Sequence, residues 1–305
     1  MDIRLKKKLK LARNNYVLYL LILPTAVYIF CFNYLPIYGA QIAFRNYRIQ
    51  DGIIGSAWVG WRWFIMFFTS PRFWTILRNT IVISAYALVV GFPIPIIFAL
   101  FLNQIKNLRY KKVIQTVTYM PHFISIVVVV GMISAFLSPH SGFLNHLIAR
   151  FTGEQTFYMG ISGYYYHLFV WSGIWQSFGW NSIIYMASLS SVDPELYEAA
   201  MIDGTNRMQR VWYIDIPHLK PTMIILLILA TGNIMSVGFE KSWLMQNDLN
   251  INVSEVIATY TYRIGMLNQM FSFSSAIGLF NNTINFIVLV SVNLFARKMS
   301  ESSLF

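Results

Sequence analysis

Long apolar runs without charge are the feature that most constrains this chain. Six runs of about twenty residues or more contain no Asp, Glu, Lys or Arg, and only 11% of the 305 residues are charged. A soluble domain carries about 25% charged residues. A helix of about 20 apolar residues crosses the hydrocarbon core of a bilayer. We therefore predict an all-α polytopic membrane protein with six transmembrane helices, at Tyr16–Leu35, Asn79–Leu102, Ile114–Leu137, within Tyr164–Ser190, at Pro221–Phe239 and at Ser275–Ala296.

The distribution of basic residues predicts the orientation of the chain. Fifteen of the 23 Lys and Arg residues lie on one side of the predicted membrane, in 1–15, 103–113, 191–220 and 297–305. The segments on the other side hold eight, although they are longer. Because cytoplasmic loops carry an excess of Lys and Arg, both termini should face the cytoplasm. The net charge of +11 is thus explained by membrane orientation, without a nucleic-acid partner.

The predicted spans divide the chain into four parts. Residues 1–15 form a basic cytoplasmic tail, 16–78 hold the first helix and an outer aromatic segment, 79–296 form the core, and 297–305 form a second tail. We expect the first helix to remain uncleaved, because it is longer than the apolar part of a signal peptide. The aromatic residues of 36–78 favour an interfacial belt against membrane lipid, and contact with an extracellular partner is the alternative.

One polar segment, 191–220, contains strong signals for a helix, a turn and a second helix. Asp193 suits the N-cap position and Pro194 the first helical position. Gly204 fits a left-handed residue at the end of this helix, which side chains with a Cβ enter only with strain. We expect Thr205 to cap the second short helix and Pro217 to end it.

The first of these helices should present a low ridge. Leu196, Ala199, Ala200 and Asp203 fall on adjacent faces at helical spacing. Two alanines keep the ridge low, so that the groove of another protein can close over it. The segment therefore has the properties of a docking surface.

The sequence of this segment resembles a known motif. Glu198-Ala199-Ala200, three residues, Gly204, nine residues and then Ile214-Asp215-Ile216-Pro217 match the spacing of the EAA loop of permease subunits in binding-protein-dependent ABC importers, with Ile216 in place of Leu. The resemblance implies the type I ABC importer permease fold. It also implies that this segment, here named the Glu-Ala-Ala loop (residues 191–220), couples to an ATPase through Glu198, Ala199, Ala200, Asp203, Gly204, Ile214 and Pro217.

Arg78-Asn79-Thr80, at the start of the second span, is also typical of such permeases, which lie in the cell membrane of prokaryotes. Three further stretches resemble the branch that handles oligosaccharides and polysaccharide fragments: Tyr34–Phe44, Val237–Lys241 and Ser254–Ile257. The implied substrate is an oligosaccharide or complex glycan delivered by an extracellular solute-binding protein. The alternatives are a different small solute, such as an amino acid or peptide, and a permease used chiefly as a sensor with a membrane kinase.

The resemblance also implies the partners and their division of labour. The chain should form a heterodimer with a second homologous permease, on two cytoplasmic ATP-binding subunits that bind ATP and Mg. The chain itself contains no Gly-x-x-x-x-Gly-Lys-Ser/Thr sequence, so we expect neither a cofactor in it nor enzyme activity. Its five histidines show no metal-ligand spacing with cysteine or carboxylates, and we predict no metal site.

Polar and aromatic residues within the apolar runs are the candidates for a substrate path. Sugars bind by stacking on aromatic rings and by hydrogen bonds to amides. Helix packing and interfacial anchoring are the alternative roles, and Glu240 could instead pair with Lys241. The candidates are Trp171, Trp175, Trp180, Asn181, Asn233, Glu240 and Asn282.

Overall fold

A computed structural model describes residues 15–299, so that most of the two predicted tails, 1–14 and 300–305, lies outside the described residues. Within 15–299 the chain is helical and forms no β-strand, and only two isolated bridges occur. The α-helices, numbered in chain order, are α1 (Tyr16–Ile29), α2 (Gly52–Gly55), α3 (Arg62–Phe68), α4 (Phe73–Gly91), α5 (Pro93–Asn103), α6 (Leu108–Tyr119), α7 (Ile126–Phe136), α8 (Phe143–Thr152), α9 (Ser162–Leu189), α10 (Pro194–Ile202), α11 (Arg207–Arg210), α12 (Ile216–Thr231), α13 (Phe239–Met245), α14 (Ile251–Ser254), α15 (Ile257–Tyr262) and α16 (Phe271–Met299).

Short turns of other helix types join several of these elements. They are π-helical at Phe30–Tyr34, Val211–Asp215 and Arg263–Leu267, and 3₁₀-helical at Leu35–Phe44, Met120–Phe123 and Tyr158–Gly160. The chain forms two compact units: residues up to Phe68 with Ile264–Leu279, and Thr69–Arg263 with the residues from Phe280 onward.

The first unit has an aromatic core around the 3₁₀ segment Leu35–Phe44. Ala43, Phe64 and Ala276 are buried together. Phe44 stacks on Trp58 with ring centroids 5.5 Å apart, and the Trp58 side chain remains 61% exposed. This aromatic segment therefore both packs its own unit and presents rings at its surface, and its place at the membrane interface stays a prediction.

The second unit is built around α9, a helix of 28 residues. One half of α9 buries Tyr165 and Phe169 against Ile83 of α4 and Val256, and the other half buries Tyr185 with other apolar side chains. Gly179 permits a close approach to α6, because a Cβ there would lie 2.2 Å from the carbonyl oxygen of Thr118. α9 thus sets the positions of the elements around it.

The membrane spans differ from the prediction in detail, and the count of six is compatible with the structure. Four helical stretches among the described residues are long and apolar enough to cross a membrane: Tyr16–Phe44, Phe73–Asn103, Arg207–Thr231 and Phe271–Lys298. A bent pair adds a fifth. With α9, which at 1.5 Å per residue is about 42 Å long, the described chain accommodates six spans.

The third predicted span, Ile114–Leu137, is wrong as one continuous helix. The helical segments Leu108–Phe123 and Ile126–Phe136 meet at an angle of 97°. Pro121 lies in the 3₁₀ turn between them, and the Ser125 side chain accepts from the Val128 amide to begin α7. A proline cannot donate in a helix and a serine N-cap starts a new one, which explains the bend.

The fifth predicted span, Pro221–Phe239, begins and ends too late. The structure has a helical stretch from Arg207 to Thr231, followed by a turn and the separate helix α13. Residues 232–238 are apolar on average but contain Gly232, Asn233 and Gly238, which favour turns. The apolar composition of the segment alone therefore does not show that the helix ends at Thr231.

Candidate functional site

The start of the Glu-Ala-Ala loop is organised as predicted. The Asp193 carboxylate accepts a hydrogen bond of 3.0 Å from the Glu195 amide, and Pro194 occupies the first turn of α10. Glu195 lies at the positive end of the helix, where a carboxylate is stabilising. These local signals fix where α10 begins.

The end of α10 is a left-handed turn at Gly204, with φ of +75°. The Gly204 amide donates to Met201 O (3.1 Å) and the Thr205 amide to Ala200 O (3.0 Å), which is the Schellman arrangement. The predicted role of Gly204 in the turn is confirmed. A residue with a Cβ would be strained here even though nothing lies within 4 Å of the Cβ position.

The prediction that Thr205 caps the second helix is wrong. The Thr205 hydroxyl donates instead to Ala200 O at 2.6 Å and so reinforces the end of α10. Asn206 caps α11: its side chain accepts from the Gln209 amide, and the Gln209 side chain accepts from the Asn206 amide. Because this reciprocal box satisfies two helix-terminal amides, it outcompetes a single threonine cap.

The prediction that Pro217 ends the second helix is also wrong. The chain stays helical through Pro217, which lies in the first turn of α12 after the π-helical turn Val211–Asp215. Proline has no backbone N–H to donate. A π-helical turn just before it leaves the helix without the hydrogen bond that this N–H would make. The loop therefore leads without a break into a membrane span.

A buried carboxylate holds the two halves of the loop together. Asp215 is completely buried and accepts from the Tyr197 hydroxyl (2.5 Å), from Gln104 Nε2 (3.1 Å) and, more distantly, from Asn103 Nδ2 (3.5 Å). Burial raises the pKa of Tyr197 to about 12, and its hydrogen bond to Asp215 acts in the same direction. Tyr197 consequently stays protonated and remains the donor.

Sequence reasoning missed this network. Asp215 was part of the recognised motif but received no role, and Tyr197, Asn103 and Gln104 were not singled out. The sequence Ile214-Asp215-Ile216-Pro217 was an available signal. A carboxylate between two apolar residues needs hydrogen-bond partners if it is buried.

The remaining loop residues form an outward surface. Glu198, Ala199, Asp203 and Gly204 are exposed, while Ala200 is half-buried. Large apolar side chains surround the alanines, and Ile202 is 86% exposed. Ile214 is half-buried and Pro217 exposed at the start of α12. Within residues 15–299 this apolar surface is left uncovered, as a docking surface requires.

A polar cavity of about 500 Å³ lies in the second unit against α9. Its wall includes Phe169, Ser177, Asn181, Glu240 and Lys241, and we call it the polar cavity. A neighbouring space of about 350 Å³ shares Phe169 and Asn181 with it and adds Asn233. Three of the predicted path residues, Asn181, Asn233 and Glu240, are therefore brought together.

The predicted tryptophans lie elsewhere. Trp171 and Trp175 share one face, as predicted, but they line a separate apolar groove of about 460 Å³ with Leu168. The Trp171 indole donates to the Tyr86 hydroxyl at 2.9 Å.

The last two predicted path residues are also outside the polar cavity. Trp180 stacks on His122, with ring centroids 4.5 Å apart and planes inclined by 2°. Asn282 is exposed on α16 and lines none of these spaces. A role of these four residues in substrate passage stays a prediction.

Lys241 and Glu240 do not form the ion pair considered as an alternative. Glu240 is exposed, whereas Lys241 is only 7% exposed and its Nζ donates to the carbonyl oxygen of Phe169 at 2.6 Å. Both ion pairs within residues 15–299 involve Glu255, which contacts Arg72 and Arg263. Lys241 therefore has no carboxylate partner in this part of the chain.

The motif Arg78-Asn79-Thr80 has a structural role. Asn79 is buried and donates to the carbonyl oxygens of Asn252 (2.9 Å) and Glu255 (3.0 Å). The Thr80 hydroxyl accepts from the Ile257 amide at 3.0 Å. These two side chains therefore fix the segment that follows α14 onto α4 and hold Glu255 in place.

Comparisons with known proteins agree with this architecture. Residues 91–301 match the family described as binding-protein-dependent transport system inner membrane component. The polygalacturonan/rhamnogalacturonan transport system permease protein YteP of Bacillus subtilis is 39% identical over 97% of this chain and 92% of that protein.

Solved structures are similar over nearly the whole chain. One is a crystal structure of a bacterial ABC transporter involved in the import of the acidic polysaccharide alginate, at 32% identity and a TM-score of 0.89, with 96% of this chain and 99% of that chain covered. A bacterial alginate ABC transporter in complex with an alginate pentasaccharide-bound periplasmic protein matches with the same TM-score, at 32% identity over 97% of this chain and 99% of that chain.

Together these matches cover both the membrane helices and the Glu-Ala-Ala loop. They also assign the chain to a class of membrane transport subunits that are not catalytic enzymes. The chain belongs to the family of binding-protein-dependent transport system inner membrane components, and it has the all-α permease fold of ABC importers.

Proposed function

We propose that this chain is one of two permease subunits of an ATP-driven importer of oligosaccharides or polysaccharide fragments. A second, homologous permease completes the path across the membrane. Two cytoplasmic subunits bind ATP and Mg and drive the cycle, and an extracellular solute-binding protein delivers the sugar. The observation that carries this proposal is the exposed Glu-Ala-Ala loop, anchored through buried Asp215 to a membrane helix.

The loop has the properties that coupling to another protein requires. Its outer face combines small alanines with exposed apolar side chains such as Leu196 and Ile202, and such a face is favourable to bury in a complementary groove. Its inner face is hydrogen-bonded to the end of α5 through Gln104. Movement imposed on Glu198, Ala199, Ala200, Asp203 and Gly204 therefore reaches α12 through the turn that contains Ile214 and the first helical turn that contains Pro217.

The polar cavity supports a sugar as the cargo. The Ser177 hydroxyl can accept a hydrogen bond, the Asn181 side-chain amide can accept and donate, and Phe169 offers an aromatic ring. Asn233 adds a further amide in the neighbouring space. Contacts of this kind are individually weak, so that a sugar can enter and leave. The YteP protein and the alginate transporter, both similar to this chain, support a carbohydrate.

The proposed orientation places the Glu-Ala-Ala loop and both termini in the cytoplasm, as the distribution of Lys and Arg predicts. ATP is hydrolysed in that compartment, which agrees with a loop that contacts ATP-binding subunits.

The test is reconstitution of the chain with its partner permease, its ATP-binding subunits and its solute-binding protein in proteoliposomes. We expect ATP-dependent accumulation of a labelled oligosaccharide, and no accumulation when ATP is replaced by a non-hydrolysable analogue. An assembled complex that hydrolyses ATP but accumulates no oligosaccharide would overturn the proposal.

A further inference from the structure

The side chain of Lys241 occupies an unusual position. It enters the polar cavity from the start of α13 and is 7% exposed. Its Nζ lies 2.6 Å from the carbonyl oxygen of Phe169 and 4.7 Å from the centroid of the Phe169 ring. A Cβ on Gly173 would lie 3.1 Å from this nitrogen, so that a glycine at this position leaves the ammonium its space.

The charge of Lys241 is only partly compensated. Its neighbours supply one carbonyl dipole and one aromatic face, and no carboxylate pairs with it among residues 15–299. A buried charge is expensive unless it is paired, and ionisable residues inside membrane proteins accordingly mark binding sites and transport paths. An ammonium has three donors, of which one is used by Phe169.

The cavity wall next to Lys241 has a regular polar face. Gly173, Ser177 and Asn181 follow one another at four-residue spacing, so that they lie on one face of α9 over about 12 Å. The Ser177 hydroxyl, which lines the cavity, donates to Gly173 O at 2.8 Å, so that its oxygen can still accept a hydrogen bond. The side-chain amide of Asn181 has no hydrogen-bond partner in the described chain.

From this arrangement we propose that Lys241 binds the carboxylate of an acidic sugar, so that the polar cavity selects oligosaccharides containing uronic acid units. Ser177 and Asn181 then contact hydroxyl groups of the same molecule. The inference rests on the proposed function and adds to it the class of sugar and the residue that recognises it. A charged hydrogen bond of this kind has the strength needed for discrimination.

The experiment measures binding and transport with the same pair of probes. The probes are an oligogalacturonate and its carboxyl-reduced, uncharged counterpart. Equilibrium binding of both is measured on the purified complex without the solute-binding protein, for wild type, Lys241→Met and Lys241→Arg. The methionine keeps most of the length of the side chain and removes its charge, whereas the arginine keeps the charge. ATP-dependent uptake of the oligogalacturonate by the complete system is measured in parallel.

We expect Lys241→Met to weaken binding of the oligogalacturonate at least about tenfold and to leave binding of the uncharged probe within about twofold. Lys241→Arg should retain most of the preference for the acid. Equal loss of both probes in Lys241→Met would identify a structural lysine and overturn the inference. A wild-type complex that binds the uncharged probe as tightly as the acid would do the same.

The uptake measurement separates this inference from the proposed function. If wild type and Lys241→Met accumulate the oligogalacturonate equally, the inference fails while the transport function stands. If the assembled wild-type complex accumulates neither this probe nor any other oligosaccharide, the proposed function fails, and the inference that rests on it fails as well.

Discussion

The Tyr197 hydroxyl donates a 2.5 Å hydrogen bond to Oδ1 of Asp215 and thereby joins α10 to the turn that leads into α12. The two residues are 18 positions apart and belong to the two halves of the Glu-Ala-Ala loop. Because Asp215 is fully buried, its carboxylate relies for hydrogen bonds on this donor and on Gln104. The motif is therefore held as one body and does not consist of two independent helices.

Loss of the left-handed turn should uncouple transport. Gly204→Val places a β-branched side chain at φ of +75°, which costs at least about 1 kcal/mol of local strain. We expect a normal amount of the variant in the membrane. The amount of sugar transported per ATP hydrolysed should fall. Gly153→Val is a matched control, because Gly153 also has a positive φ, of +84°, at the end of α8. Normal uptake by Gly204→Val would remove the coupling role from this turn.

Removal of the donor to Asp215 should weaken the loop. Tyr197→Phe leaves the buried carboxylate with fewer partners, at a cost of about 1–3 kcal/mol. The thermal midpoint of the purified complex and its sugar-stimulated ATPase should both fall. Tyr213→Phe, on the same loop but 80% exposed, should change neither. Identical behaviour of the two variants would show that the bond has no mechanical role.

The effect of Tyr197→Phe should not depend on pH in the working range. The pKa of Tyr197 is raised to about 12, from about 10 for a free tyrosine, because burial disfavours the phenolate. Its stabilising contribution is therefore complete below about pH 10 and is lost only as the pH rises through about 12. Midpoints of wild type and variant measured at about pH 6, 7.5 and 9 should differ by a constant amount. A difference that shrinks by pH 9 would contradict the assignment of Tyr197 as the protonated donor.

Single cysteines should establish the orientation of the second unit. In a Cys31→Ala background, Glu154→Cys should react with an impermeant maleimide on intact cells, because 138–163 is predicted to lie outside. Lys112→Cys should react only after the cells are permeabilised. Both positions are exposed, so that access alone does not separate them. Labelling of both from outside would overturn the predicted topology.

Substitutions in the two spaces beside α9 should identify the route of the sugar. Asn181→Ala removes an amide from the polar cavity, and we expect uptake to fall about tenfold, equivalent to about 1.4 kcal/mol. If the apolar groove also belongs to the route, Trp175→Ala should reduce uptake similarly and spare basal ATPase activity. Parallel loss of uptake, protein and ATPase would instead identify Trp175 as packing, where Trp→Ala costs about 3–5 kcal/mol. Normal uptake by Asn181→Ala would exclude the polar cavity.

What could be predicted from the sequence depended on how local each interaction is. Asp193 and Gly204 act on backbone groups within a few residues, so that their roles follow from residue type and spacing. The spans were recognisable because apolar composition is also a local property. The continuation of the helix through Pro217 depends on a π-helical turn for which the motif itself has no signal.

The interior of the site depends on contacts between distant parts of the chain. The burial of Lys241 is set by Phe169 and Gly173, about 70 residues earlier, and no pattern around Lys241 separates it from an exposed loop lysine. The same holds for Trp171 and Trp175, whose shared face was predicted correctly. Which space that face adjoins is set by α7 and not by α9 itself.

The unbroken helical stretch from Arg207 to Thr231 can act as a lever. Its 25 residues span about 37 Å, comparable to the thickness of a bilayer. One end carries the exposed Glu-Ala-Ala surface, and the other leads within two residues to Asn233, beside the cavity that Asn181 borders. A tilt of a few degrees at the loop would displace the far end by about 2 Å, enough to make or break a hydrogen bond there.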